Sequence, residues 1–209
     1  MPYEDTWAVR PAAAVTNTFR VAATHGANAA FTLLVNDFSS IQGAKNGAGY
    51  MLSFTTSADI TANATVWTIT GAIVGQTVGT TTEVVTGPAS ATTVNSTHYW
   101  ARVDSIVAGG TSGGSSGAVT VAVGFAGSLA LPRCRIKGVS VVGAATAGSV
   151  IVTMNGTSGT EILGIDTPAT ATFAQYDMGG HILVGRTAVT GDFAVVTLTQ
   201  VTKVTLFLA

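Results

Sequence analysis

The chain reads as an all-β protein, and three observations carry that reading. Short runs rich in Val, Ile, Thr, Phe and Trp recur along its 209 residues, a composition that fits a pleated, half-buried surface. Gly, Asn, Asp or Pro turn signals punctuate them at intervals of about 8–12 residues. Helical periodicity is nearly absent. Together these predict two antiparallel β-sandwich or jelly-roll-like bodies behind an extended N-terminal arm.

The arm is expected over residues 1–30. It holds Pro2 and Pro11 and the run Ala12-Ala13-Ala14, and no sustained periodicity. Tyr3, Trp7 and Phe19 are spaced as isolated anchors, which suits a segment tied down by a partner chain.

The first sandwich is expected over 31–128. Ala30–Val35 and Tyr50–Thr55 read as strands. Thr65–Thr70 alternates strictly, with Trp67 and Ile69 in phase on one face. Thr81–Val85, Tyr99–Val107 and Ala118–Val123 continue the series. The Gly/Ser run at 109–117 cannot pack a core and reads as a flexible loop between strands.

The second sandwich is expected over 129–209, with Leu129–Pro132 at the boundary. Strands are predicted over Cys134–Val142, Ala147–Met154, Glu161–Ile165, His181–Val184, Phe193–Leu198 and Lys203–Leu208. Asn155-Gly156 is a tight-turn signal, and Asp166-Thr167-Pro168 marks another turn. A weak echo joins the halves: Thr86-Gly87-Pro88-Ala89-Ser90-Ala91-Thr92-Thr93 resembles Asp166-Thr167-Pro168-Ala169-Thr170-Ala171-Thr172. Duplication explains it, and so does Thr/Ala turn bias in a low-diversity sequence.

Charge is scarce. Only 9% of residues are charged against 47% hydrophobic, and the formal net charge is −1; an average domain carries about 25% charged residues. Obligate interfaces are depleted in charge, so this composition points to a part of an assembly. It argues against nucleic-acid binding through a basic surface. No apolar run approaches the ~20 residues of a membrane helix. The polar, acidic Met1–Trp7 has no signal-peptide character, so synthesis in the cytoplasm is expected. Three N-x-[ST] matches, at Asn63, Asn95 and Asn155, are expected by chance in so Thr-rich a chain.

The search for chemistry returns absences. The single cysteine, Cys134, excludes an intrachain disulfide and reads as a small buried side chain on a strand. His25, His98 and His181 have no second ligand-type residue at metal spacing. The carboxylates fall mostly at strand ends or turns, where Asp bonds local backbone amides. The Gly-x-Ser-x-Gly spacing falls only within the Gly/Ser run at 109–117, which reads as a loop and not as a strand-to-helix elbow, and no phosphate-binding loop is present. No enzyme, cofactor or metal site is expected. One charged cluster remains: Arg133, Arg135 and Lys137 share a strand face. They could meet an acidic neighbouring subunit or form a solvated face, and the sequence leaves both readings open.

Trp67-Thr68-Ile69-Thr70-Gly71, Glu83-Val84-Val85-Thr86-Gly87-Pro88, Thr92–Thr97 and Val103–Ile106 resemble segments of small β-rich virion proteins of tailed bacteriophages. Arg135–Val142, Thr146–Val150, Gly156–Thr160 and Val201–Phe207 extend that resemblance over about residues 50–209. It implies a capsid decoration (cement) protein located in the virion, commonly a homotrimer, with the major capsid protein as partner. A tail, head-fibre or adaptor subunit is the alternative. A carbohydrate-binding sandwich with Trp67 or Trp100 exposed is a third reading, in which Trp100 is the more exposed candidate.

Overall fold

Alternation in the sequence becomes two-facedness in space. In the strand Val66–Ile73, Trp67 and Ile69 are buried while Val66, Thr68 and Thr70 are half-buried, as a period of two requires. In this computed structural model the described residues are 6–9, 15–24, 29–34, 49–60, 65–76, 78–109, 120–132, 134–170, 173–184 and 193–208. They hold fourteen strands and no helix: β1 Thr6–Val9, β2 Val15–Ala23, β3 Gly49–Thr56, β4 Val66–Ile73, β5 Thr81–Thr86, β6 Thr93–Asn95 and β7 Trp100–Gly109. The series continues with β8 Val121–Leu131, β9 Cys134–Gly143, β10 Gly148–Met154, β11 Glu161–Thr167, β12 Phe173–Val184, β13 Ala194–Thr199 and β14 Val201–Leu208. All pairings are antiparallel.

The strands form a ten-stranded sheet, ordered β11-β10-β13-β8-β3-β7-β4-β5 with β2 on β8 and β6 on β3, and a four-stranded sheet, β1-β14-β9-β12. The fold class is therefore the expected all-β, sandwich-like one. Two lobes can be traced through it. In the first, β2-β8-β3-β6 faces β5-β4-β7, and Phe54 of β3 stacks flat on Trp67 of β4, ring centroids 4.7 Å apart and 6° from parallel. In the second, β11-β10-β13 with the end of β8 covers β1-β14-β9-β12. Val150, Val152, Val196 and Leu131 bury their side chains on one side; Ile136, Val139, Val141, Val204 and Leu206 do so on the other. The main core contains residues of both lobes.

The two lobes repeat one pairing scheme. In the first, β4 lies between β5 and β7, and β3 pairs β6 and β8. In the second, β10 lies between β11 and β13, and β9 lies between β12 and β14. The N-terminal strands follow suit, β2 on β8 and β1 on β14. The sequence echo falls at one place in both copies, leaving the edge strands β5 and β11. That agreement of topology and position favours duplication over turn bias.

The expected division at 128/129 falls within β8, which pairs β3 along its length and β13 through Leu129, Ala130 and Leu131. Its register with β3 breaks there: Tyr50 faces Leu129 while Leu52 faces Phe125, an irregularity that bends a strand. Of the residues expected as an arm, the described Thr6–Val9 and Val15–Ala23 are strands. Thr6–Val9 and Val15–Ala23 nevertheless belong to the chain's own sheets, so within these strands the tie expected from a partner is intramolecular. Of the predicted strand Ala30–Val35, the described residues 30–34 hold a bridge from Ala30 to Val107, with Phe31 N–H donating to Ile106 C=O at 2.8 Å, and Val35 lies outside the described residues. Beyond Gly109 the Gly/Ser run lies outside the described residues.

Arg20 fastens β2. Its side chain is buried, and the guanidinium donates to the carbonyls of Ala23 (2.8 Å), Thr24 (2.9 Å) and Val121. It also lies over the Phe31 ring, 4.2 Å from the centroid. Burial lowers its pKa, and the carbonyl oxygens with the ring face stand in for the water it has lost.

Close backbone approach explains two glycines. A Cβ at Gly49 would collide with the Trp100 carbonyl and come within 2.8 Å of Ala101 N; one at Gly71 would collide with the Arg102 carbonyl. Both flank the start of β7. There β3 meets β7 through the single pair Tyr50–Trp100, and β4 shifts register after Thr70. The large sheet turns its corner at this point.

Candidate functional site

The cluster expected on one strand face is partly met. Arg135 and Lys137 lie on β9 and flank Ile136, which is fully buried, so both project from the outer face of the small sheet. Arg133 lies outside the described residues. β9 is an inner strand, between β12 and β14, so this charge sits on the face of the sheet and not along an edge. Lys203, exposed on β14 and in register with Val142, joins the same face.

Of the expected anchors, Trp7 lies in β1, paired with Leu206, and Phe19 lies in β2. Tyr3 lies outside the described residues. Trp67 and Trp100 are both fully buried. The expectation that Trp100 is the more exposed of the two is therefore corrected. Trp100 opens β7 at the corner, in register with Tyr50. Neither indole offers a face for a sugar ring to stack on.

The sequence reading passed over a small cleft of about 190 Å³, lined by Ile73, Val74, Thr97, His98, Tyr99 and Phe193. It sits where the loop between β6 and β7 meets the start of β13. Two side chains build the loop. Ser96, buried, accepts from Leu52 N–H at 2.9 Å and donates to His98 C=O at 3.0 Å. Glu83, reaching from β5, accepts from Thr97 N–H at 2.6 Å, Thr97 Oγ1 at 3.0 Å and His98 N–H at 3.2 Å. Tyr99 then packs on Phe193, ring centroids 5.4 Å apart, which joins the lobes at the seam. Burial raises the Tyr99 pKa, so the phenol stays protonated at neutral pH.

Thr97, His98 and Glu83 superficially compose a hydroxyl–imidazole–carboxylate set. The Thr97 hydroxyl contacts His98 Nδ1 at 3.0 Å, and that same nitrogen is 3.5 Å from Glu83 Oε2. A relay needs the base on one ring nitrogen and the orienting carboxylate on the other. Here both meet Nδ1, and Glu83 bonds the hydroxyl itself. The carboxylate's oxygens are committed to backbone amides, so its role is to shape the loop. The cleft is also smaller than the roughly 300 Å³ at which ligand pockets begin.

Among the described residues no three His, Cys, Asp or Glu side chains converge as a metal site. No helix there is long and apolar enough to cross a membrane. Arg102 and Asp104 pair along the exposed face of β7, Nε to Oδ1 at 2.6 Å. The feature with the greatest reach is thus the outer surface of the second lobe, with its cationic sheet face and its edge strand β12. No family model, curated protein or solved structure matches the chain.

Proposed function

We propose that this chain is a structural subunit of a tailed-bacteriophage particle: a decoration protein that binds the outer capsid shell as a homotrimer. In this role it braces neighbouring capsomers, works without a cofactor, and has the major capsid protein as its partner. Neither nucleic acid nor membrane takes part.

The observation that carries the reading is β12. Within the repeated scheme its counterpart β6 has three residues, whereas β12 has twelve. It forms one edge of the small sheet, and among the described residues its only strand partner is β9. Edge strands of monomers are kept short, charged or broken by proline. β12 is long, has no proline, and carries Asp177 as its one Asp, Glu, Lys or Arg, although its register with β9 shifts between Asp177 and Ile182; Phe173 at its start is 67% exposed. Such an edge suits pairing with another subunit, in keeping with a chain so poor in charge.

Quantitative mass spectrometry of particles from the phage that encodes the chain tests the proposal. A copy number comparable to that of the major capsid protein is expected. A count of only one small ring would place the protein in the tail, and absence from washed particles would overturn the reading.

A further inference from the structure

We infer that the second lobe binds another copy of this chain head to tail, the Arg135/Lys203 face of one copy meeting the Glu161/Asp166 face of the next. The inference rests on the self-associating role proposed above and specifies its contact surface.

The argument starts from how this chain places its few charges. Among the described residues most are engaged locally: Arg20 by carbonyls, Glu83 by the loop at 97–98, and Arg102 by Asp104. Asp59, Lys137 and Asp177 also have partners. The side chains of Arg135, Lys203, Glu161 and Asp166 are exposed and, among the described residues, form no hydrogen bond or ion pair. All four lie in the second lobe. The corresponding strands of the first, β3 and β8, carry no charge, and the one charge on β5 is the engaged Glu83.

The four are also sorted by sign. Arg135 stands beside buried Ile136, and Lys203 beside buried Val204, so both cations leave the outer face of the small sheet. Asp166 stands beside buried Ile165 on β11, the edge of the large sheet. Glu161 folds along the same strand, its carboxylate lying over Gly164, where a Cβ would collide with it. This places Glu161 and Asp166 together on the outer face of β11, across the lobe from the cations.

The unengaged anions Glu161 and Asp166 on one outer face and the unengaged cations Arg135 and Lys203 on the opposite one, which Lys137 shares, are complementary between copies and not within one. A contact of that kind is heterologous: head-to-tail copies close a ring if the rotation between them closes, and run on as an open filament if it does not. Exposed charges at such a contact set register and partner choice, and juxtaposed like charges are strongly disfavoured.

Sedimentation velocity on four purified proteins tests the contact: wild type, Arg135→Glu/Lys203→Glu, Glu161→Lys/Asp166→Lys, and the quadruple variant. Each double variant is expected to raise the apparent Kd of self-association at least ~100-fold, and the quadruple variant to return within ~10-fold of wild type. All four sites are exposed, so melting temperatures of the dissociated chains should agree within about 4 °C. An oligomeric wild type whose double variants associate equally well would overturn this contact and leave the self-associating role standing. A wild type that remains monomeric would overturn that role, and the contact with it.

Discussion

Trp67→Ala is expected to lower the unfolding free energy by about 3–5 kcal/mol, the range for deleting a large buried aromatic side chain. Trp67 is fully buried on β4 and stacks on Phe54 of the opposing layer at 4.7 Å. The ring pair spans the first lobe between its two layers, so removing the indole opens a cavity against Phe54. Both rings lie on backbone fixed by paired strands, β4 to β5 and β7, β3 to β8. Collapse into the hole is therefore restricted, which places the cost toward the upper end. Urea denaturation gives the measurement: the midpoint should fall with an unchanged slope. Val84→Ala on edge strand β5, 58% exposed, should stay within about 0.5 kcal/mol of wild type.

Gly49→Ala is expected to cost about 3 kcal/mol although it adds one methyl group, at or beyond the upper end for ordinary overpacking. The new Cβ would collide with the Trp100 carbonyl and lie 2.8 Å from Ala101 N. These are backbone atoms at the corner of the sheet, and no rotamer change relieves them. The strand ends must separate, which breaks the one pair that links β3 to β7. Faster amide exchange around Tyr50 and Trp100 should accompany the loss of stability. Gly109→Ala is the control. Its Cβ would meet the Val66 side chain at 3.2 Å and come no closer than 3.9 Å to backbone, so a cost below about 1 kcal/mol is expected. A Gly49→Ala protein as stable as this control would show that the corner is not held by close backbone approach.

What the sequence made legible follows from which forces act locally. β4 announces itself because Trp67 and Ile69 alternate with Thr68 and Thr70 and are buried on one face, and β7, β10 and β14 because they are runs rich in β-branched and other apolar residues. Asn155-Gly156 was legible because few residues accept φ values of 57° and 121°. β1 and β2 were read as an arm because their partners are distant: Trp7 meets Leu206 and Arg20 meets Val123. No local pattern encodes such a pairing. The first half of β12 was missed although Ala174-Gln175-Tyr176-Asp177-Met178 alternates apolar and polar residues, because this edge segment has no β-branched residue and is mostly exposed.

The candidate surfaces divide in the same way. Arg135 and Lys137 were legible as a shared face because period two is a local rule. Lys203 was not, since it joins them through the register of β14 on β9. Nor did Glu83 appear as the organiser of Thr97 and His98, because the strands that bring them together are set by long-range pairing. Composition had signalled an assembling chain, yet the repeated scheme is what singles out β12 by its length.

The central claim is self-association, and the mass of the purified wild-type chain in solution tests it most directly. Light scattering coupled to size exclusion should give three times the 21.0 kDa chain mass, constant across a range of loading concentrations. A mass of 21.0 kDa at every concentration would contradict the account.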